Sequence, residues 1–397
     1  MSFGKYLGIV LSMFLFAFSA TSTLAATINV ASGSSIQSAI NAAQSGDTIF
    51  VRVGQYQESV RISKDNIKVK CEQSRKCIVK QFGVWGSSNT IEGFRLTGGQ
   101  IAGLDIRQQN NTLKDIEIDN ILYGSGDANG VIFFGSGHIF DNIYIHDIDQ
   151  YHMEPKPHQD CFQTWDVPER GGAASFITIT NVLCDMPQTG GEFTSKALQS
   201  SGESHHWTVR NFISLAPMAC LFYDEAYNID ISHSTFIGRG TQPQGCKFLD
   251  LTDAPAPHDN KMTYNIFQNI TGYHVIYETD DAVQSSNNCF WQTYPRTPEP
   301  GDVYANPLLN SDWSVPANSP CIKMGASLSV APVPTLIATP TVKLGDSNGD
   351  NLVNDADYSI WLSNYNKALS GATNGDFNNS GKVDGVDYVI WRNGYGK

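Results

Sequence analysis

Two segments of the sequence, Ile116-Glu117-Ile118-Asp119-Asn120-Ile121 and Ile143-Tyr144-Ile145-His146-Asp147-Ile148, carry the same pattern of alternating apolar residues that ends near a polar one. Alternation with a period of two is typical of a β-strand with one buried and one exposed face. The pattern recurs at residues 177–182, 208–212, 229–233 and 262–266. Roughly 20 to 35 residues separate the polar positions of successive copies, which are Asn120, Asp147, Asn181, Asn211, His233 and Asn265.

A repeat of this length predicts a solenoid. Each repeat has room for three short strands, which form one coil and bury their apolar face only against neighbouring coils. A β-propeller would need four-stranded blades at a longer period, which the sequence lacks. Asn side chains stacked at the strand spacing of about 4.7–4.9 Å can hydrogen-bond along a column and suit a tight turn. We therefore expect an all-β domain, a right-handed parallel β-helix, over residues 26–325.

Both ends of the predicted β-helix carry their own signals. Between residues 36 and 43 the apolar residues follow helical spacing, and the strand Thr48–Val51 comes soon after. A short amphipathic helix here would cover the open end of the apolar core. The far end falls near Asn306-Pro307-Leu308, and residues 326–343 are rich in Pro, Ala, Thr and Ser, which is typical of a linker.

The N-terminus resembles a secretory signal peptide over residues 1–25. Lys5 precedes an apolar run from Leu7 to Phe18, and small residues lead to a cleavage point near Ala25 or Ala26. The run is short for a bilayer-spanning helix, and the sequence contains no other candidate span. We expect a secreted, extracellular protein.

The eight cysteines agree with export, because disulfides persist in oxidising compartments. No Cys/His spacing indicates zinc. Residues stacked in neighbouring coils lie at a distance that a disulfide accepts. The best predicted pairs are Cys71–Cys77 and Cys220–Cys246.

Charge narrows the classes of partner. The formal net charge of -13 argues against nucleic acid, which basic patches usually bind. An acidic polysaccharide would need a local basic cluster or a bridging calcium ion.

Two loops near the C-terminus carry oxygen donors at positions 1, 3, 5, 9 and 12, the spacing of an EF-hand-type calcium loop. Each loop leads into a helix with matching side chains, so the match is duplicated. The predicted ligands of two calcium ions are Asp346, Asn348, Asp350, Asn354 and Asp357 in the first loop and Asp376, Asn378, Ser380, Asp384 and Asp387 in the second.

These loops resemble a type I dockerin, the module that attaches enzymes to a cohesin-bearing scaffold. The resemblance covers residues 344–397 and implies a small α-helical domain, two bound calcium ions and a cohesin-type partner. A calcium-stabilised module without a cohesin partner is the alternative.

The β-helix resembles the pectate-lyase-like superfamily from about residue 27 to 325, through its repeat and the opening Gly54-Gln55-Tyr56-Gln57-Glu58. That superfamily includes lyases, glycoside hydrolases, esterases, epimerases and adhesins, so the fold does not fix the function. The aspartate and Arg-Ile-Lys motifs of polygalacturonases, the later motifs of pectin methylesterases and the arginine motif of pectate lyases are not found.

Titratable and aromatic residues concentrate in the middle coils. Lys196 follows Asp160 by the same offset as Gln199 follows Gln163, so these residues are expected to stack in pairs. The candidate catalytic residues are His158, Asp160, Lys196, Arg210 and Glu225. The candidate substrate-binding residues are Gln163, Trp165, Gln199, His205 and Tyr223.

The cluster suits chemistry on a uronate polymer. β-Elimination needs a base for the C5 proton, here His158 or Lys196, and a cation against the carboxylate, here Arg210 or calcium held by Asp160. Hydrolysis needs two carboxyl groups, for which Asp160 with Asp224 or Glu225 would serve.

Three functions remain open. The first is a scaffold-attached lyase acting on acidic polysaccharide. The second is a glycoside hydrolase on the same fold. The third is a non-catalytic surface or glycan-binding protein, in which the same residues are a solvated outer face with polar ladders.

Overall fold

A computed structural model describes residues 24–150, 152–187, 195–250, 256–278, 282–328, 345–348, 352–369, 371–377 and 381–396 of the chain. Residue contacts divide the chain between Leu328 and Ser329 into two units, and each is described by itself. Most of the predicted signal peptide, and the predicted linker from residue 329 onward, lie outside the described residues.

The first unit consists of short strands, with one α-helix near its start. This helix, α1 (Ile36–Ala42), is capped by the Ser35 side chain, and it buries Ile36 and Ile40, which confirms the helix predicted there. The strands are β1 Thr27–Val30, β2 Thr48–Val51, β3 Gly54–Gln55, β4 Ser59–Ile62, β5 Lys68–Cys71, β6 Cys77–Val79, β7 Gln81–Val84, β8 Thr90–Glu92, β9 Phe94–Thr97, β10 Ile101–Ile106, β11 Thr112–Asp119, β12 Ala128–Phe133, β13 Ile139–His146, β14 Phe162–Thr164, β15 Thr178–Asp185, β16 Lys196–Ser201, β17 His205–Ala216, β18 Met218–Tyr223, β19 Tyr227–Ser232, β20 Thr235–Gly238, β21 Gln244–Leu249, β22 Asn260–Thr263, β23 Ile266–Gln268, β24 Ile276–Glu278, β25 Val283–Ser286 and β26 Cys289–Trp291.

The strands pair in parallel and form the three faces of a β-helix. Sheet 1 has the order β4-β7-β10-β12-β14-β16-β18-β21-β24. Sheets 2 and 3 share the long strands β11, β13, β15 and β17, whose first halves lie in sheet 2 and second halves in sheet 3. Before them sheet 2 contains β1, β2, β5 and β8 and sheet 3 contains β3, β6 and β9. After them come β19, β22 and β25 in sheet 2 and β20, β23 and β26 in sheet 3.

A left-handed residue bends each long strand where it passes from sheet 2 to sheet 3. These residues are Asp115, Asn142, Asn181 and Asn211, with φ between 49° and 56°. Asn and Asp adopt this conformation more readily than other non-glycine residues. His233, with φ 49°, continues the same column in the next coil.

The single polar column predicted from the repeat is therefore two columns, and Asn265 belongs to neither. Tyr264, with φ 57°, occupies the bend in that coil, and Asn265 lies one residue later, where it bonds Ser234. Asn120 and Asp147 both have φ 49° and lie one residue beyond the ends of β11 and β13. They mark the exit from sheet 3, whereas Asn181 and Asn211 mark the bend between sheets 2 and 3. One motif appeared in the sequence because the two turns are only a few residues apart in each long strand.

Inside the turns, buried amides form hydrogen-bonded ladders between coils. Asn89 Oδ1 accepts from the backbone of Ile67, and Asn111 Oδ1 accepts from the backbone of Asn89. A second ladder joins Ser234, Asn265 and Asn288, with N···O distances of 3.0 and 2.8 Å. The ladders satisfy backbone donors that the turns would otherwise leave unpaired inside the protein.

Aromatic stacks and disulfides tie the coils together. Phe236, Phe267 and Phe290 stack along the core, with ring centroids 5.3 Å apart at each step. All eight cysteines are paired, and the two predicted pairs are confirmed. The full set is Cys71–Cys77, Cys161–Cys184, Cys220–Cys246 and Cys289–Cys321.

The second unit contains two similar helices, α2 (Asp355–Asn364) and α3 (Gly385–Gly394), each of which begins with a capping box. The Trp361 indole N–H donates to the carbonyl of Asp384, and that of Trp391 donates to the carbonyl of Asn354. The tryptophan of each helix thus bonds the N-cap carbonyl of the other helix, in agreement with the duplicated sequence. No helix in the described part of the chain is long and apolar enough to cross a bilayer.

Candidate functional site

Sheet 1 brings the middle of the predicted cluster together, because neighbouring coils bend at matching positions where they enter this sheet. We call this position the corner of sheet 1. Cys161 faces the interior, where it is bonded to Cys184, and the following Phe162 also lies in the core. Ala197 and Leu198 are both core residues at the equivalent place in the next coil. The residues just before these corners lie in register in three neighbouring coils and are all buried, and they are Asn129, Asp160 and Lys196.

Asp160 and Lys196 form a buried ion pair at this corner, which confirms that they stack. The Lys196 ammonium lies 3.3 Å from Asp160 Oδ1, and the Lys196 backbone N–H donates to the same oxygen at 2.8 Å. The side chains are 2% and 0% exposed respectively. A buried lysine and a buried carboxylate each need an opposite charge. Removal of either residue would therefore leave the other as an uncompensated buried charge.

His158 is the more accessible member of the cluster. Its side chain is 46% exposed, and its Nδ1 lies 3.9 Å from Asp160 Oδ2. Neither of these two atoms has a hydrogen-bond partner among the described residues, although both are buried. The carboxylate of Asp160 thus stands between a lysine on one oxygen and a histidine beside the other.

Sequence reasoning missed two members of the site, Asp127 and Asn129. Asp127 pairs with His158 across neighbouring coils, and Asn129 Oδ1 accepts from the backbone of Asp160 at 2.7 Å. Burial raises the pKa of Asp127, and Asp160 adds to this effect, whereas His158, Asn129 and Lys196 oppose it. The signal was present, because Asp127-x-Asn129 has the same spacing as His158-x-Asp160 one coil later.

Two glutamines extend the site along the strands. Gln163 and Gln199 are paired in register, as the equal sequence offset predicts. Gln163 Oε1 accepts from Asn129 Nδ2 at 2.6 Å, and Gln199 Oε1 is buried without a partner among the described residues. Trp165 is on the same outer face but packs edge-on against Phe134, with ring centroids 4.9 Å apart.

The structure does not bring the remaining candidates to this corner. Arg210 is on sheet 2, where it is exposed and lies 3.4 Å from Asp230. Tyr223 and Glu225 lie at and beyond the far end of β18, whereas Lys196 aligns with its first residue, Met218. At about 3.3 Å per residue, Glu225 is on the order of 20 Å from that column.

His205 also lies away from the corner, at the start of β17 in sheet 2. Burial lowers the pKa of its imidazole, and His206 lowers it further, whereas Glu203 raises it.

A second group of ionisable side chains lies on sheet 3. Candidate ligand atoms of Glu117, Asp119 and His146 lie within 4.8 Å of one another. Arg95 Nε already binds two of them, 2.7 Å from Asp119 and 3.3 Å from Glu117. The single charge of this arginine balances one of the two carboxylates, and His146 Nε2 lies 3.4 Å from Glu117, so the group forms an ion-pair network.

In the second unit, the predicted calcium ligands at the first and last positions of each loop are buried. Asp346 and Asp357, at positions 1 and 12, are fully buried, and Asp357 Oδ1 accepts from the backbone of Ser347 at 2.8 Å. Asp376 and Asp387 repeat the arrangement, with Phe377 N–H donating to Asp387 Oδ1 at 2.8 Å. Buried carboxylates gathered in a short loop suit a calcium ion.

The other predicted ligands fall into two groups. Asn348, Asn354 and Asp384 are described, and the last two cap the N-termini of α2 and α3. Asp350, Asn378 and Ser380 lie outside the described residues.

Comparisons with known proteins return structures only. No protein-family model matches the chain. No curated protein matches it. Among solved structures, it is similar to the PL6 family alginate lyase AlyGC, with a TM-score of 0.34, 11% identity, and coverage of 78% of this chain and 58% of that one.

Two further solved structures are similar to the chain. The alginate lyase from Paenibacillus sp. str. FPU-7 has a TM-score of 0.44, 16% identity, and coverage of 71% of this chain and 98% of that one. A mannuronic acid specific polysaccharide family 6 lyase from human gut microbiota has a TM-score of 0.42, 12% identity, and coverage of 69% and 77%. The chain spans less than two thirds of the length of AlyGC. With TM-scores this low, the fold assignment rests on the strand pairing of this chain itself.

Proposed function

We propose that this protein is a polysaccharide lyase that cleaves a uronate-containing polymer by β-elimination on the outer face of sheet 1. The observation that carries the proposal is the constellation of Asp127, His158, Asp160 and Lys196, in which one buried carboxylate lies between a lysine and a partly exposed histidine. Ionisable groups with such partners are typical of active sites, although structural networks also contain them.

The proposed reaction removes the C5 proton of a uronate and breaks the bond between C4 and the glycosidic oxygen. We assign the proton to His158, because its imidazole is the more exposed of the two candidate bases. Asp160, 3.9 Å away, stabilises the imidazolium that forms. Lys196 is the alternative base; in the favoured assignment it pairs with Asp160 and adds positive charge near the substrate carboxylate.

Asp127 supplies the proton that the leaving oxygen needs. Burial raises the pKa of its carboxyl group, so this residue retains a proton closer to neutral pH than an ordinary aspartate does. The amides of Gln163 and Gln199 offer hydrogen bonds to sugar hydroxyls along the same face. The products are a new reducing end and a chain end with a C4=C5 double bond.

Calcium is the alternative source of positive charge at this corner. The residues fit such an ion in one respect, because Asp160 Oδ2 is buried without a hydrogen-bond partner among the described residues. Asp160 and Asp127 would hold the ion, which would neutralise the uronate carboxylate.

A hydrolase is the second candidate function. Asp224 and Glu225, the partners that hydrolysis would have required for Asp160, lie on the order of 20 Å along the strand from the Lys196 column. Glycosidase carboxyl pairs are about 5–9.5 Å apart. A hydrolase would therefore have to use Asp127 with Asp160.

The deciding experiment incubates the purified chain with alginate, polygalacturonate and a neutral glucan while ultraviolet absorbance and reducing ends are followed together. Both signals on a uronate polymer are the expected result. Reducing ends without absorbance would establish a hydrolase. No increase in absorbance or in reducing ends on a broad panel of acidic polymers would favour a non-catalytic glycan-binding protein.

Variants then test the roles of the residues. His158→Asn, Lys196→Met and Asp160→Asn should each lower kcat by about 100-fold or more, since each removes a group that acts in the transition state. Lys261→Met, which removes an exposed lysine from sheet 2, is the matched control and should retain activity. Full activity in both His158→Asn and Lys196→Met would contradict the assignment.

We further propose that the protein is secreted, and that residues 344–397 form a dockerin-like module with two calcium ions and a cohesin-type partner. Four disulfides and the duplicated capped helices support this proposal. The test is co-purification of the chain with a panel of cohesins in calcium and in chelator. Binding in calcium alone is expected, and failure with every cohesin would leave a calcium-stabilised module of another kind.

A further inference from the structure

A histidine pair lies on the turn that joins sheet 1 to sheet 2, outside the proposed active site. His205 is the first residue of β17, nine residues after Lys196 in the chain, and His206 follows it. The Nδ1 atoms of the two imidazoles lie 2.8 Å apart, and the ring planes are 82° from each other. The two Nδ1 atoms therefore face each other at an exposed position.

Each imidazole is supported by an aromatic ring from a neighbouring coil. His205 stacks on Tyr227 with centroids 4.8 Å apart and an interplanar angle of 17°. His206 stacks on Phe176 at 4.7 Å and 23°. The stacking fixes the orientation of both rings from behind and leaves the nitrogen edges facing each other.

The turn places a left-handed residue at the same position in successive coils, and two of these residues belong to the histidine site. Phe176 and His206 are left-handed, with φ of 55° and 56°. The same column in other coils holds residues that accept this conformation more easily, namely Asn66, Ser88, Asn110, Asn228 and Asp259. A bulky phenylalanine here is unfavourable, and such outliers are common at functional sites. Here the outlier carries the ring that supports His206.

We propose that His205 and His206 bind a zinc-type divalent ion through their Nδ1 atoms, and that Glu203 moves toward them to become the third ligand. Imidazole ligands about 2.0–2.1 Å from zinc lie roughly 2.9–3.3 Å from each other, so the observed pair needs only a small opening. Glu203 is exposed, lies two residues before His205 and interacts with it electrostatically. Two imidazoles and a carboxylate suit zinc or copper better than calcium.

The competing account is a hydrogen bond between two neutral imidazoles, with one ring as donor and the other as acceptor. That account explains the 2.8 Å distance equally well, but it gives no affinity for a metal ion. The two accounts therefore differ in a property that can be measured on the intact chain.

The test is calorimetric titration of the full chain with zinc chloride in excess calcium, which keeps the C-terminal loops filled. One zinc ion per chain with micromolar affinity is expected, weakened at least 30-fold in His205→Asn and in His206→Asn. His258→Asn is the matched control, because His258 stacks on the other face of Tyr227 at 5.0 Å and its Nδ1 lies 2.8 Å from Asp259. Unchanged zinc affinity in the double variant would overturn the proposal.

A second measurement avoids variants that fail to fold. Electron paramagnetic resonance of the wild-type chain with one equivalent of copper counts the nitrogen ligands directly. Two imidazole nitrogens are expected, and both should be absent from the double variant if it folds. Wild-type chain that binds neither zinc nor copper at 100-micromolar concentrations, roughly the weak limit of such sites, would refute the site.

Discussion

His138 occupies the place in a buried ladder that Asn89 and Asn111 hold in the two preceding coils. Its Nδ1 accepts from the backbone of Asn111 at 3.2 Å, and its Nε2 lies 2.8 Å from the carbonyl of Phe134 and donates to it. Both ring nitrogens are used by the neutral form, and the side chain is fully buried. A second proton would replace the acceptor by a donor that faces another N–H.

This residue makes the stability of the β-helix depend on pH. Burial lowers the pKa of His138 from 6.5 to about 4, against a smaller opposing effect of its two backbone hydrogen bonds. Between these values the unfolded chain binds a proton that the folded chain does not, so stability falls as the pH falls from 6.5 to 4. The loss is about 3 kcal/mol in total. His138→Asn should remove it.

Urea unfolding at pH 7, 5.5 and 4 measures the effect. Asn at position 138 can accept from Asn111 as its ladder neighbours do, so His138→Asn is expected to fold. The exposed His258 provides the control variant, His258→Asn, which should keep the full pH dependence. The same pH slope in wild type and in His138→Asn would show that His138 is not the source.

The pair Asp160 and Lys196 gives a second prediction for single residues. Removing one partner leaves a buried charge without its counterion, so Lys196→Met or Asp160→Asn alone should lower the free energy of unfolding by about 3–5 kcal/mol. The double variant should lose clearly less than the sum, because neither charge remains. A double-mutant cycle from urea unfolding measures this coupling, and additive losses would contradict a direct interaction.

At the scale of single residues, equal sequence offsets correctly predicted the stacked pairs. Closeness along the sequence, in contrast, wrongly placed other residues in the cluster. Lys196 aligns with Asp160, and Gln199 with Gln163, because β14 and β16 pair in a single register, so every pair of aligned residues has the same sequence offset. Arg210 and Glu225 were grouped with them on sequence density alone. Both residues come after the chain has turned away from sheet 1. The amino-acid composition of a turn does not show the direction in which the chain leaves it.

At the scale of secondary-structure elements, the strand pattern was readable and the bends were not. Apolar alternation identified β11, β13 and β15 correctly, since one face of each strand is buried. The bend inside each strand depends on a single left-handed residue. In the sequence, an Asn or Asp at such a bend cannot be distinguished from an Asn or Asp at the end of a strand. Register across coils was needed to separate the two columns.

The cross-coil disulfide gives a prediction at this scale. Cys220 and Cys246 face each other in register on β18 and β21, with Cα atoms 4.4 Å apart and a sequence separation of 26. Replacing both by Ala should lower the free energy of unfolding by about 3 kcal/mol, because a loop of that length becomes unrestricted in the unfolded chain.

The short disulfide Cys71–Cys77 provides the comparison, since it closes only a six-residue separation. The double Ala variant at that pair should lose about 1 kcal/mol less by the same chain-entropy argument. Urea unfolding under non-reducing conditions measures both. Equal losses would mean that loop closure does not dominate the contribution of these bonds.

At the scale of the whole molecule, the two units should respond differently to chelation. The second unit has a small core of Val353, Trp361, Phe377, Val383 and Trp391, and its loops gather buried carboxylates. Without calcium these carboxylates repel one another, so the helical signal of α2 and α3 should be lost in EGTA. The β-helix has its own core and disulfides and should remain folded.

Circular dichroism with and without EGTA, followed by thermal unfolding, tests this. A helical signal that persists in chelator would refute calcium dependence, and loss of the β-sheet signal would show that the first unit also needs the ion. Magnesium in place of calcium is the control, because it prefers stricter octahedral geometry and retains its water.

The corner of sheet 1 has a consequence for how this protein can change in evolution. Asn129, Asp160 and Lys196 are contributed one per coil by three consecutive coils, and no residue from the outer coils takes part. If the proposed lyase site is correct, a duplication or loss of one whole coil elsewhere would lengthen or shorten the sugar-binding surface without altering the proposed reacting groups. The length of the product and the chemistry of cleavage would then evolve separately.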